Sequence, residues 1–327
     1  MSTGKESERG RLAAVVFNPA KVPVKALRDE VASAEAEHGW EPTLWFETGE
    51  HDNGTSAARD AIASAPDVVL VAGGDGTVRA VAEEIYSAGV PLALLPAGTG
   101  NLLARNLRLT LGDLPHAVRT AFTGVERDVD IAFAATREPG GAVARRAFVV
   151  MAGIGLDAHM AANTDGAMKN RIGWLAYVDP IARSVIGNKQ VQLRYRIDGG
   201  RARTLGAHTV IVGNCGTLTA NILLLPDAIV DDGLLDVVVF RPRGAIGWAG
   251  IGSRLATNGL FAKTGPGRWM MRNAPDLKGL SYVQARRFDV HFSVPQEIEL
   301  DGDSIGLATA VTLTVLHRGL TLLVPVT

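Results

Sequence analysis

The first third of the chain alternates short apolar runs with helical patterns, and this rhythm limits the fold more than any other feature. The runs Leu12–Phe17, Thr43–Glu47, Asp67–Ala72 and Leu92–Leu95 have the length of buried strands, and Val24–Glu37, Ser56–Ala65 and Val78–Ser87 have helical periodicity between them. Strands that alternate with helices form a parallel sheet covered on both faces. We therefore predict an α/β domain over residues 1–132, with ligands beyond the carboxyl ends of its strands.

From about Asp128 onward the rhythm changes, and mostly strand-like runs follow one another. They are Ala147–Met151, Gln190–Ile197, Thr209–Val212, Leu235–Phe240, Phe288–Ser293 and Ile298–Asp301, with one helical stretch at Gly173–Val185. Short strands separated by turns favour an antiparallel β-sandwich, here over residues 133–307. The last run, Val311–Val326, is strand-like and could close either domain.

Composition and charge exclude several classes of protein. The 327 residues carry 33 Lys and Arg against 34 Asp and Glu, so no net basic field favours nucleic acid as a partner. The single cysteine, Cys215, excludes an internal disulfide and fits a reducing cytoplasm, where a buried apolar role is expected. No apolar run reaches the roughly 18 residues that a membrane span needs, and the N-terminus lacks a signal-peptide pattern. The histidines show no zinc-site spacing.

The segment Gly73-Gly74-Asp75-Gly76-Thr77 joins a predicted buried strand to a predicted helix. Glycines let a phosphate approach the backbone closely, and the start of a helix offers unpaired N–H groups and a partial positive charge. Asp75 could hold Mg²⁺ or its waters beside that phosphate. The segment is neither a Walker A loop nor a GxGxxG fingerprint. An ordinary strand-to-helix turn is the alternative.

A second glycine-rich loop, Pro96-Ala97-Gly98-Thr99-Gly100-Asn101, follows the next predicted strand. Alone it is weak evidence, because a plain turn explains it equally well. The carboxyl ends of neighbouring parallel strands lie at one edge of a sheet, so the two loops should converge on one crevice. Together they indicate a nucleotide site.

These motifs and several later ones, in this order, resemble the diacylglycerol kinase catalytic family, which is similar to the sphingosine kinases. The residues that carry the resemblance are Asn18-Pro19, Gly73–Thr77, Pro96–Asn101, Ala104–Leu107, Gly153–Ala158, Gly213-Asn214, Leu225–Ala228, Asp231–Val237 and Asp301–Asp303. The resemblance implies two domains, with the segment 308–327 returning to the first. It also implies an enzyme that transfers a phosphoryl group from ATP to a lipid hydroxyl, such as that of diacylglycerol.

The resemblance further implies where ATP and Mg²⁺ bind. The implied ATP contacts are Asn18, Pro19, Thr48, Gly73, Gly74, Asp75, Gly76, Thr77, Val78, Arg79, Gly98, Thr99, Gly100 and Asn101. A structural Mg²⁺ would take a carboxylate oxygen from Asp232 and backbone carbonyls from Ile229 and Leu234, which are the oxygen ligands that a hard cation prefers. Asp75 and Asp130 are the expected carboxylates around the catalytic ion.

Asp301-Gly302-Asp303 resembles the catalytic Asp-Gly-Glu of the family. The proton of a lipid hydroxyl must leave as phosphorus is attacked, and a positioned carboxylate can accept it. We expect Asp301 to be this base, with Asp303 the close alternative. Asp75 completes the predicted catalytic group.

The chain departs from the family pattern at three places. Ala20-Lys21-Val22 replaces a Ser-Gly-containing segment after Asn18-Pro19, and Lys21 could meet a phosphate. Leu102 stands where many relatives have aspartate, which removes one carboxylate from the implied Mg²⁺ network. Asp303 replaces glutamate and shortens the side chain by one methylene.

Two other functions stay open. An NAD kinase or a phosphofructokinase-like sugar kinase would share the first loop, and a catalytically silent lipid-binding module would explain Leu102 and Asp303. For the lipid kinase we expect a cytoplasmic protein at a membrane surface. Basic and large apolar residues mix in Gly265–Gln284, which suits an anionic membrane, although a solvated loop explains them equally well. The oligomeric state is open, with a homodimer as one alternative.

Overall fold

A computed structural model describes residues 10–49, 52–155, 190–218, 223–241 and 280–326 of the chain. In its first part four strands form a parallel sheet in the order β2-β1-β3-β4. They are β1 (Ala13–Phe17), β2 (Leu44–Glu47), β3 (Val68–Gly73) and β4 (Leu92–Pro96). Every residue of β1 and β3 is buried, as expected for central strands covered on both faces. The predicted parallel sheet is confirmed.

Five helices accompany this sheet: α1 (Val24–His38), α2 (Thr55–Ala63), α3 (Asp75–Ile85), α4 (Leu102–Asn106) and α5 (Leu114–Thr123). Leu27 and Val31 of α1 share one apolar cluster with Val118 of α5. Ala58 of α2 and Val81 of α3 belong to a second cluster, built on other side chains of the same strands. Helices therefore cover both faces of the parallel sheet.

The second part of the chain forms an antiparallel β-sandwich, which confirms the predicted class. Its strands are β5 (Val125–Arg137), β6 (Val143–Phe148), β7 (Met151–Ile154), β8 (Val191–Ile197), β9 (Arg203–Ala207), β10 (Thr209–Gly213), β11 (Leu235–Phe240), β12 (Leu280–Ala285), β13 (Arg287–Leu300) and β14 (Asp303–Val324). The first half of β13 pairs with β8, which pairs with β9. Its second half pairs with β7, which continues through β10 and β11 to β12.

Strand β14 connects the two parts of the molecule. It pairs with β13 and β5 over most of its length, and Leu322 and Leu323 then pair with β4 in the parallel direction. The predicted boundary at residue 132 falls inside β5, which crosses it without interruption. No linker separates the two parts there, and the division of the chain into domains remains a prediction.

Three predicted elements differ from the structure. The predicted strand Ala147–Met151 is wrong, because Val149 and Val150 separate β6 from β7. Their N–H groups bind the carboxylate of Asp301 instead of a neighbouring strand. The predicted strands Phe288–Ser293 and Ile298–Asp301 are one strand, β13, and Asp301 lies just beyond its end. The predicted helix at Gly173–Val185 lies outside the described residues, as do residues 265–279.

Candidate active site

The two glycine-rich loops touch each other at the carboxyl edge of the parallel sheet. The first leaves β3 at Gly73 and enters α3, and the second follows β4. A side-chain carbon placed on Gly98 would lie 2.7 Å from the Cα of Gly74, so only glycine allows this approach. Gly73 is restricted in the same way, since its added carbon would lie 2.7 Å from the Cβ of Thr77. The convergence expected from the order of the strands is present.

Asp75 begins α3 and joins the two loops. Its Oδ1 accepts a hydrogen bond of 2.6 Å from the N–H of Leu102, and its Oδ2 lies where a side chain on Gly100 would be. Burial raises the pKa of Asp75, while the N–H groups of Leu102 and Asn101 lower it. Position 102 therefore contributes a backbone donor to Asp75, and its leucine side chain is buried in the core.

Asn101 fixes the shape of the second loop. It adopts a left-handed backbone conformation with φ of 47°. Its side chain accepts from the N–H of Gly98 at 2.9 Å and donates to the carbonyl of the same residue at 2.7 Å. Arg105 of α4 donates to the carbonyl of Gly100 at 2.6 Å. The described hydrogen bonds of the Asn101 side chain thus stabilise the conformation of its own loop.

The predicted contacts from the first two strands lie at the same edge. The N–H of Asn18 donates to the carbonyl of Ala72, the residue before Gly73, at 2.9 Å. The N–H of Thr48, directly after β2, donates to the carbonyl of Phe17 at 2.9 Å. The structure therefore brings Asn18 and Thr48 to the strand ends from which the first loop emerges.

Asp303 lies against the first loop, although it is more than 200 residues away along the chain. Its Oδ2 accepts from Nη2 of Arg79 at 2.9 Å and from Nδ2 of Asn53 at 3.4 Å. The same oxygen lies 2.8 Å from where a side-chain carbon on Gly76 would be. The Asp303 side chain is 41% exposed, whereas that of Arg79 is 8% exposed. A carboxylate held by a buried guanidinium thus faces the open side of the crevice.

Asp301 has a different environment from Asp303. It is buried, has a left-handed φ of 50°, and accepts from the N–H groups of Val149, Val150 and Met151, each at 2.9 Å. Burial raises the pKa of Asp301 to about 6, although the three N–H groups act in the opposite direction. Through these hydrogen bonds, Asp301 fixes the segment between β6 and β7.

Cys215 is buried close to these acids. Burial raises the pKa of its thiol, and the charges of Asp301 and Asp75 act in the same direction. A buried neutral thiol is a poor nucleophile, so the expected apolar role of Cys215 agrees with its environment.

Asp130 of β5 binds the loop between Ile229 and Leu234. Its Oδ2 accepts from the N–H of Gly233 at 2.6 Å, and its Oδ1 accepts from the N–H of Arg318 at 2.7 Å and lies 3.0 Å from Nδ1 of His317. Asp75 instead accepts from the N–H groups of Asn101 and Leu102, where the second glycine loop meets α4. The two acids expected around one catalytic ion therefore hold different loops.

The chemistry of the 229–234 loop fits a divalent cation. Oδ1 of Asp232 accepts from the N–H of Leu234 at 3.0 Å. Burial raises the pKa of Asp232, and the neighbouring charges of Asp130 and Asp231 raise it further. A cation would relieve this repulsion. The described residues gather no group of three acidic, histidine or cysteine side chains around a metal position, so backbone carbonyls and water would have to complete the shell.

Sequence reasoning missed three residues of the site: Asn53, Arg105 and His317. Each acts through a contact with a distant segment or with a backbone group. Arg105 lies in Ala104–Leu107, one of the motifs of the resemblance, but no role was assigned to it there. Asn53-Gly54 gave a further signal, because Asn-Gly marks a turn, and His317 belongs to no motif. Arg79 was expected at the nucleotide, and its ion pair with Asp303 was not anticipated.

Comparison with known families covers both parts of the chain. A model of the diacylglycerol kinase catalytic domain matches residues 13–134, and a model of the YegS C-terminal NAD kinase beta sandwich-like domain matches residues 149–251. Residues 13–134 belong to the diacylglycerol kinase catalytic-domain family. This first match contains both glycine loops, and the second contains the 229–234 loop.

Individual relatives agree with the family assignment. The chain is 24% identical over 271 residues to the diacylglycerol kinase of Bacillus subtilis, covering 80% of this chain and 81% of that one. It is 27% identical over 259 residues to an uncharacterised Synechocystis protein, covering 79% of this chain and 55% of the relative. The chain therefore spans about half of that longer relative.

Solved structures show the same fold. A diacylglycerol kinase from Bacillus anthracis matches with a TM-score of 0.73 at 22% identity, covering 96% of this chain and 97% of that one. Yeast NADH kinase complexed with NADH matches with a TM-score of 0.51 at 9% identity, covering 94% and 79%. At these identities the structures support the fold alone. In the part of the chain that the structure describes, no helix is long and apolar enough to cross a membrane.

Proposed function

We propose that this protein is an ATP-dependent kinase that transfers the γ-phosphoryl group to a hydroxyl of diacylglycerol or a related lipid. The observation that carries the proposal is the position of the Asp303 carboxylate beside Gly76 in the first glycine loop, where a side-chain carbon on Gly76 would lie 2.8 Å from Oδ2. It joins a candidate proton acceptor from the second part of the chain to a candidate phosphate site in the first. A phosphoryl transfer to a hydroxyl needs both at one place.

We assign the general base to Asp303, which reverses the order expected from the sequence. Asp303 is partly exposed beside the loop, and its Oδ1 accepts no hydrogen bond from the described residues. A hydroxyl proton could reach that oxygen from the crevice. Asp301 uses both carboxylate oxygens on three backbone N–H groups in the interior. We therefore give Asp301 a positioning role. Its buried hydrogen bonds fix the turn that places Asp303 at the crevice.

The nucleotide phosphates would lie on the first loop, at the N-terminus of α3. Gly74 and Gly76 keep this surface open, and the helix end offers N–H groups and a partial positive charge. Thr48, Asn18 and the second loop would border the rest of ATP. When bound, Mg²⁺ would neutralise charge on the phosphates, and Asp75 is the acid of the first loop that could hold the ion or its waters.

We also propose that the 229–234 loop holds a structural Mg²⁺. Asp232 would supply a carboxylate oxygen, and Ile229 and Leu234 would supply backbone carbonyls. The loop is tied to β5 and β14 through Asp130, which accepts from Gly233 and Arg318. Fixing this loop would help to order the side of the sandwich next to the crevice.

The lipid substrate would be reached from the aqueous side of a membrane, by peripheral contact of a cytoplasmic enzyme. Peripheral contact and a homodimer both remain predictions from the sequence.

The test is a product analysis with labelled ATP and Mg²⁺. Diacylglycerol, monoacylglycerol, ceramide, sphingosine and NAD would be offered in separate reactions to the full chain. We expect label on at least one lipid, and the Asp303→Asn variant should lose it. Label on NAD and on no lipid would contradict the proposal and favour the NAD kinase alternative. Absence of label on every acceptor, with ATP still bound, would favour the silent lipid-binding module.

A further inference from the structure

A cavity of about 340 Å³ lies inside the β-sandwich, between its two layers. Strands β8 and β9, with Phe288 of β13, line one wall, and β11 and β12 line the other. Strands β9 and β12 are edge strands in the described sheet, so the cavity lies towards that side of the sandwich. Its volume lies within the range of sites that hold small molecules. We call this cavity the edge slot.

The lining of the edge slot is mostly apolar. Leu193 and Tyr195 of β8 alternate with exposed residues, and Val237 and Val239 of β11 belong to the same apolar cluster. The rings of Tyr195 and Phe288 lie 5.9 Å apart between centroids. Such a lining suits a hydrocarbon chain.

Two arginines interrupt this apolar lining, one on each wall. Arg203 stands directly opposite Tyr195 in the β8–β9 ladder, so it shares the inner face with that ring. Arg241 follows Val239 by two residues, which continues the inner face of β11. Both arginines are exposed, and no residue that lines the edge slot is acidic. Among the described residues, no carboxylate lies within ion-pair distance of either arginine.

An inward-pointing charge can protect an edge strand from pairing with another chain. This explanation could account for Arg203 on β9. It does not account for Arg241, because β11 has paired strands on both sides. Two cations at inner positions of opposite walls instead match one anionic group at the end of an apolar chain.

The edge slot is separate from the candidate active site. Leu300, Ala152, Val212 and Val237 lie in one row across four neighbouring strands, roughly 14 Å from the first to the last. Ala152, Val212 and Leu300 are fully buried in the sandwich core. A ligand of the edge slot would therefore enter from the β9 and β12 side, and not from the crevice beside Asp303.

We propose that the edge slot binds a single-chain anionic lipid. The acyl chain lies between Tyr195, Val239 and Phe288, and the carboxylate or phosphate head pairs with Arg203 and Arg241. A fatty acid and a lysophospholipid share this chemistry, and the experiment separates them. The proposal goes beyond the kinase reaction and does not depend on it, because binding can be measured without ATP.

The test is calorimetric titration of the full chain with three lipids of the same acyl length, below their micelle concentrations. Fatty acid and lysophosphatidic acid carry the anionic head, and monoacylglycerol is the neutral control. We expect at least one anionic lipid to bind about tenfold more tightly than monoacylglycerol, because charge-assisted hydrogen bonds to two arginines are lost in the neutral lipid. Comparing the affinities of the two anionic lipids shows whether the edge slot prefers a carboxylate or a phosphate head.

Variants test whether that binding takes place in the edge slot. The double variant Arg203→Glu/Arg241→Glu should weaken anionic binding about tenfold or more. Arg194→Glu is the matched control, since Arg194 lies on the outer face of β8 and is also exposed. Leu205→Trp should weaken binding by filling the apolar part, and it keeps the test valid if the double variant fails to fold. Equal binding of neutral and anionic lipids, no binding, or an equal loss in Arg194→Glu would each overturn the proposal.

Discussion

At the scale of single residues, the two aspartates of one motif have separate environments. Asp303 is partly exposed and paired with Arg79, whereas Asp301 is buried on three backbone N–H groups. The spacing of two residues does not place them on one face, because Asp301 and Gly302 both have positive φ, 50° and 92°, in the turn between β13 and β14. The turn directs one carboxylate inward and the other to the crevice.

Replacing Asp303 tests the assignment of the base. We expect Asp303→Asn to lower kcat by about 10²–10⁴, with little change in ATP binding, because the amide cannot accept the proton. Asp303→Glu should keep much of the activity, since it retains the charge. Steady-state kinetics with calorimetry of ATP binding would measure both. The control is Asp289→Asn, another arginine-paired carboxylate, which lies on β13 away from the loops. A kcat for Asp303→Asn close to that of the unmodified chain would remove Asp303 from the mechanism.

Asp301 should make stability depend on pH in a defined direction. An unfolded aspartate titrates near 3.8, and burial raises the folded pKa to about 6. Between these values the folded chain keeps a proton that the unfolded chain has lost. The contribution of Asp301 to the free energy of unfolding is therefore complete below pH 3.8. It falls as pH rises through 6, by on the order of 2–3 kcal/mol.

Denaturant unfolding from pH 4 to 7 would measure this effect. The quantity to follow is the free energy of unfolding of the unmodified chain minus that of the Asp301→Asn variant. We expect the difference to decrease as pH rises. Asp198→Asn is a matched control, because Asp198 also has a positive φ of 48° and accepts from the N–H groups of Arg286 and Arg287, but is exposed. A difference for Asp301 that does not vary with pH would contradict the buried, proton-retaining state.

At the scale of elements, the strand-loop-helix units were the most predictable part of the molecule. β3, the first loop and α3 were visible because a buried apolar run ends in glycines and an amphipathic helix follows. The break between β6 and β7 was not visible, because Val149 and Val150 are apolar and favour a strand. They leave the strand because Asp301, about 150 residues later, uses their N–H groups. The Arg79–Asp303 pair was hidden for the same reason: local patterns carry no information about such distant contacts.

The contact between the two loops gives a test at this scale. Gly98→Ala would place a methyl group 2.7 Å from the Cα of Gly74, and backbone must move to relieve the overlap. We expect weaker ATP binding and a loss of about 1–3 kcal/mol in the free energy of unfolding. Calorimetry and denaturant unfolding would measure these. Gly140→Ala is the control, because nothing lies within 4 Å of its added carbon. If Gly98→Ala binds ATP as well as the control does, the loop contact does not shape the nucleotide site.

At the scale of the whole molecule, one continuous sheet, with 14 strands among the described residues, connects the parallel and antiparallel parts. The class of each part could be predicted from periodicity. Their joining could not, because nothing in the last apolar run tells which strand it will pair with, and only the family resemblance implied that the segment 308–327 returns to the first part. Since β14 contributes to both parts, we expect them to unfold together.

Leu322→Ala tests this coupling. Leu322 is fully buried and pairs with Leu92 of β4. We expect a loss of about 2–5 kcal/mol, with hydrogen exchange increased in β4 and also in β5 and β13. Leu316→Ala is the control, because Leu316 of the same strand is 44% exposed and should change stability little. Increased exchange confined to β4 would mean that the two parts open independently.

The path of β14 also has a consequence for biosynthesis. During translation β4 is complete long before β14 leaves the ribosome, so one side of β4 presents unpaired backbone groups in the meantime. An exposed strand edge of this kind invites pairing with other nascent chains. The residue proposed as the base begins the same strand that later closes this edge. A nascent chain could therefore gain its catalytic carboxylate only in the final stage of folding, when its aggregation-prone edge is also being covered.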